Sequence, residues 1–106
     1  MSESQIVPLS ETALEPEAPG INSRAVPVNG VRWAVVQYDP GVLREEWCDE
    51  GHSGFVIEGE VVYEFEGGRP ALTVRAEQGF TLAAGPGHRG RAGSEGVRLF
   101  LIDRAG

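Results

Sequence analysis

One cysteine, two histidines and no long apolar run are what this chain of 106 residues has to work with. Cys48 stands alone, which excludes an intramolecular disulfide and suits a reducing compartment. No apolar stretch approaches the ~20 residues of a membrane-spanning helix, so no membrane partner is expected. Residues 1–5 carry neither the basic start nor the apolar core of a signal peptide, and a cytoplasmic location is the expectation. Basic residues are also few, nine against sixteen acids, for a formal net charge of −7. That balance argues against nucleic acid as a partner, because phosphate contacts need a basic footprint. Arginine dominates the cations, and Arg89, Arg91, Arg98 and Arg104 lie near the end. Such a group could attract an anion, but more often it is the solvated face of a hairpin. Nowhere do ten or more residues repeat with helical periodicity, so little or no helix is expected.

What the chain does have is regular punctuation. Residues 1–22 read as an N-terminal arm, partly ordered or docked as an edge strand. Pro8, Pro16 and Pro19 with Gly20 break any helix near Ala13 and Leu14, while Ile6, Val7 and Leu9 could pair with a sheet edge. Residues 23–106 read as one domain, with no room for a second. From Gly30 onward, apolar and β-branched runs recur between Gly, Pro and Asp at roughly eight to twelve residues, the spacing of a β-sandwich or barrel. The runs are 31–38, 42–47, 54–58, 60–66, 71–76, 79–84 and 97–103. Asp39-Pro40-Gly41 and Glu66-Gly67-Gly68 are turns with a mechanism, since Pro presets φ and Gly supplies positive φ. Fifteen evenly scattered glycines suit corners and bulges. Strands this short must hide their edges, and a closed or nearly closed barrel does so. The class is all-β.

The segment from Glu45 to Glu60 resembles the first signature of the cupin superfamily. That signature has two His one residue apart, a Glu four positions after the second, and a Gly seven further on, within a V-L-E-G-E-like strand and turn. Val56-Ile57-Glu58-Gly59-Glu60 matches the strand and turn. Counting back from Gly59 puts His52 at the Glu position, Cys48 at the second His and Glu46 at the first. A second, degenerate signature falls on residues 77–90. Glu77-Gln78 replace the usual Gly-Asp, Ala83 the usual Pro, and Gly90 the ligand His. His88 lies two residues earlier, on the same face of an extended strand. The whole is most similar to small single-domain RmlC-like cupins with a W-C-x-x-G-H-x-G-x-V-x-E-G-E first motif. The resemblance implies a double-stranded β-helix, or jelly-roll barrel, over residues 30–103, and a homodimer.

Cys48, His52 and His88, with Glu46 to complete the set, are the candidate metal ligands. Thiolate, imidazole and carboxylate together suit a transition metal such as Zn, Fe, Ni or Mn. Trp33, Phe55 and Tyr63 join those four as candidate ligand-binding residues of the barrel interior. Each has a plainer reading. Cys48 could be inert packing, His52 a polar group satisfied by Glu46, Glu50 or water, His88 part of an exposed loop, and Glu46 a solvated acid. The aromatics could simply be core. Two functions follow: a barrel that binds a small organic molecule without catalysis, or a metal-dependent dioxygenase, isomerase or decarboxylase with Glu46 or Glu50 as base.

Overall fold

A computed structural model describes residues 3–104. It contains seven strands: β1 (Glu15–Ala18), β2 (Ile21–Val28), β3 (Val31–Tyr38), β4 (His52–Phe65), β5 (Leu72–Arg75), β6 (Gly79–Leu82) and β7 (His88–Arg104). Among the described residues the one helical segment is a 3-10 turn at Leu9–Glu11, so the all-β expectation holds. The sheet runs β1-β2-β3-β7-β4-β5, with β6 also paired to β4, and every pairing is antiparallel. Among the described residues no helix is long and apolar enough to cross a membrane.

The β2–β3 hairpin was not anticipated, yet its signal is present. Asn29 and Gly30 both take positive φ, 51° and 78°, the two-residue turn that Asn-Gly favours because its twist matches the flanking strands. It sets Val28 against Val31 and carries the register back to Ile21 opposite Tyr38. Alternation then points Ala34, Val36 and Tyr38 inward, all buried.

β4 and β7 form the spine. They pair twice, Ser53–Gly59 with 97–102 and Val61–Phe65 with 88–92, with one register shift at Val56/Glu58 inside the first half and another at Gly59/Val61 between the halves. The runs expected separately at 54–58 and 60–66 are therefore one bent strand. Gly59 makes the bend at φ 83°, where a Cβ would collide with the Gly96 carbonyl. Beyond the bend the sheet rolls over its own core, so that Tyr63 in the second half of β4 packs on Phe80 of β6 with ring centroids 5.2 Å apart. Its terminal strands β1 and β5 are not paired to each other, so the barrel is rolled rather than fully hydrogen-bonded shut.

Within residues 1–22 the edge strand lies further along than Ile6, Val7 and Leu9. Ile6 is 86% exposed and precedes the first strand. The edge strand is instead Glu15–Ala18, and Ile21 is part of the core at 1% exposure. The run 42–47 is no strand either, and pairs with β7 at isolated bridges, Leu43 to Arg91 within it and Cys48 to His88 just beyond it.

Candidate metal centre

Residues 39–51 leave β3 and cross the open end of the roll before β4 begins. Backbone hydrogen bonds hold them to β7, from Gly41 and Val42 at one end to Cys48 at the other. The Arg44 amide donates to the Gly90 carbonyl at 3.0 Å, and Cys48 and His88 exchange both backbone bonds, at 2.9 and 2.8 Å. A doubly bonded antiparallel pair puts both side chains on one side, which sets the Cys48 thiol beside the His88 ring. His52, the first residue of β4, completes the group. Its Nε2 lies 3.5 Å from Cys48 Sγ, and its ring meets that of His88 edge-on at 5.2 Å. One ligand atom from each of Cys48, His52 and His88 lies within 4.8 Å of the others.

The electrical setting suits a cation. His88 is 3% exposed, and its Nδ1 has no hydrogen-bond partner. Burial, reinforced by His52 and opposed by Asp49, holds its pKa below the ordinary imidazole value. The ring is therefore kept neutral, the form that binds metal. Tyr63 closes the floor 6.0 Å from His88, and burial, with Tyr38 adding to it, pushes its phenol upward, so it stays a proton donor. His52 Nδ1 lies 3.1 Å from Asp103 Oδ2. That contact has the distance of an ion pair without the alignment of a hydrogen bond, and Nδ1 remains unpartnered. A chain of charges continues outward: Arg32 lies 3.7 Å from Asp103 and 3.6 Å from Glu17, and Glu17 is 2.8 Å from Arg44. Partial burial raises the Glu17 pKa, but hydrogen bonds from Ser23 and Arg44 and the charges of Arg44 and Arg32 outweigh it and lower the carboxyl overall.

These residues line a cavity of about 380 Å³. Val36, Leu101 and Tyr63 make its apolar wall, and Arg89, stacked 4.2 Å over the Trp47 ring, stands among the lining residues. A cleft of about 410 Å³ elsewhere, bounded by Asp39, Glu58, Glu95 and Arg98, shares no residue with the donor cluster.

Of the residues expected to bind ligand, Glu46, Cys48, His52, Tyr63 and His88 line this cavity. Trp33 and Phe55 do not. Strand alternation turns Trp33 to the opposite face from Ala34 and Val36, where it meets Phe100 at 5.7 Å, and likewise leaves Phe55 42% exposed, paired with Phe100 in register. Glu46 is exposed and outside the donor cluster. The period-two argument that joined it to Cys48 fails because 42–47 is not extended in a strand. His88 is not in an exposed loop, and Arg89 and Arg91 are paired with Glu64. Asp103, Arg32, Arg44, Glu17 and Tyr38 were missed. The alternation Ile102-Asp103, with an acid inside an apolar strand, was the one available hint of them.

No family model matches the chain, and no curated protein matches it. Solved structures do. An RmlC-like cupin from Shewanella frigidimarina is 17% identical, with a TM-score of 0.77 over 99% of this chain and 93% of that one. The fold is that of a cupin. Oxalate decarboxylase from Bacillus subtilis matches at 24% identity and a TM-score of 0.76, over 92% of this chain and 28% of its own. Another structure of that enzyme, whose Mn(II) centres were studied, is 25% identical with the same TM-score and coverage. This chain thus spans a little over a quarter of the decarboxylase, 28%. The cupin roll carries a transition-metal candidate in Cys48, His52 and His88.

Proposed function

We propose that this cupin holds one transition-metal ion on Cys48, His52 and His88 and binds a small organic molecule in the adjoining cavity. The convergence of the three donors carries the proposal, because nothing else in the fold requires a thiol and two imidazoles within 4.8 Å of one another. Three protein donors also leave a coordination position free, the arrangement of sites that bind a substrate or water. A thiolate with two imidazoles favours Zn, Fe or Ni over Mn, which prefers oxygen donors. When bound, such an ion supplies Lewis acidity toward a ligand oxygen. The chain's own residues do the rest. Val36 and Leu101 exclude water from one wall, Tyr63 offers a phenolic proton, and Arg44 is held by Glu17 and Tyr38 at 2.8 and 3.3 Å. A homodimer is included, as the resemblance implies.

Metal-dependent catalysis is the second reading, supported by the free coordination position and by Glu46 and Glu50 on the cavity lining, either of which could take a proton. Metal analysis of protein purified without chelator or nickel resin tests the first claim. About one equivalent, lost in His88→Ala, is expected. Less than about a tenth of an equivalent, with no gain on adding Zn, Fe or Ni, would leave a metal-free binding barrel.

A further inference from the structure

Strand register, not sequence proximity, brings Asp103 to His52. Ser53 pairs with Ile102 in the β4–β7 ladder, so the next residues, His52 and Asp103, stand together on the interior face. Arg32 sits opposite Asp103 in the β3–β7 ladder. The row Arg32–Asp103–His52 therefore crosses three strands and ends at the donor cluster. Both side chains of the inner pair are largely withdrawn from solvent, 14% and 13% exposed. His52 turns its two nitrogens to different neighbours: Nδ1 lies 3.1 Å from Asp103 Oδ2 and Nε2 lies 3.5 Å from Cys48 Sγ. Nδ1 of both rings is buried without a hydrogen-bond partner, but only that of His52 has a carboxylate within ion-pair distance among the described residues.

We infer that Asp103 is a positioning residue for His52. Its carboxylate, 3.1 Å from Nδ1 although not aligned as a hydrogen-bond acceptor, favours the imidazole proton on that nitrogen by its charge. The Nε2 lone pair is so left for the metal ion, with Arg32 balancing the carboxylate. An imidazole that donates its distal N–H to a carboxylate is fixed in both tautomer and ring angle and is the more basic ligand. The inference rests on the metal site proposed above, and its test separates the two.

In metal-free protein, long-range proton–nitrogen NMR reads the tautomer of His52 directly. The Nδ1–H form is expected in the native chain and in Asp103→Asn, which keeps an acceptor oxygen, and its loss in Asp103→Leu. Zinc competition titrations should then show Asp103→Leu weaker by about 10- to 100-fold and Asp103→Asn by less. An Nε2–H tautomer in the native chain would overturn the inference. So would zinc binding by folded Asp103→Leu at native strength. Should Asp103→Leu not fold, the native chain and Asp103→Asn decide it by tautomer alone. A native chain that takes no zinc sinks the metal site, while the tautomer still decides what Asp103 does to His52.

Discussion

Cys48 is tied to His88 by two backbone hydrogen bonds of 2.9 and 2.8 Å, although Cys48 belongs to no strand. The irregular crossing between β3 and β4 is thus pinned at the residue whose side chain it must deliver. Backbone and side chain can be separated there. Cys48→Ser keeps the pinned backbone and exchanges a soft donor for a hydroxyl. Stability should change by less than about 1 kcal/mol, while zinc affinity falls at least tenfold. Chelator competition and urea unfolding on the same sample measure both; unchanged affinity would remove Cys48 from the site.

His88 makes a different prediction. A buried nitrogen without a partner costs about 1–3 kcal/mol, and Nδ1 of His88 is one of two such nitrogens, the other being Nδ1 of His52 beside Asp103. His88→Leu should therefore make the metal-free fold about 1 kcal/mol more stable and abolish the stabilisation that zinc gives the native chain. Thermal unfolding with and without zinc tests both. A variant less stable than the metal-free native chain would show that the imidazole is satisfied.

Glu17 links β1 to the site and should govern the acid limb of stability. Its folded pKa lies below the ordinary 4.5, so its contribution is present above that pH and is lost as pH falls through the lower folded value. Glu17→Gln should be less stable than the native chain at pH 7 and indistinguishable from it once Glu17 is protonated in both states. Urea midpoints across the acid range would show the gap closing downward. A gap that widens instead would contradict the assignment.

Glu77 sits at φ 66°, in the left-handed region. An L side chain there costs about 1–2 kcal/mol, partly offset in a Gly variant by about 0.5–1 kcal/mol of extra unfolded-state entropy. Glu77→Gly should stabilise the fold by up to about 1 kcal/mol, a rise of a few degrees in Tm. A fall in Tm would show that the Glu77 side chain makes a contact worth more than the strain.

Much of this was legible beforehand, and what was not has definite causes. Run 31–38 is strand β3 to the residue, and from Trp33 to Tyr38 its half-buried and buried positions alternate. Residues 42–47 carry Arg44, Glu45 and Glu46 in succession and form no strand, pairing with β7 only at the Leu43–Arg91 bridge. The three consecutive charges were the available sign that this run would not pair along its length. At the second signature, Gly90 stands where the family has a ligand His. The structure gives a steric account, for a Cβ there would already press within 3.1 Å of Tyr63 and Val61. His88, on the same face, supplies the imidazole instead.

The sequence by itself determined the all-β class, the cupin resemblance and three of the residues at the centre. Period-two alternation and glycine at bends are local properties, and so can be read along the chain. Which aromatics face the cavity, whether Glu46 reaches the donors, and the presence of Asp103 behind His52 were decided only by tertiary structure. Each depends on register between strands far apart in the chain, Ser53 against Ile102 and Arg32 against Asp103. A shift of one residue in either ladder would turn the same side chains to the other face.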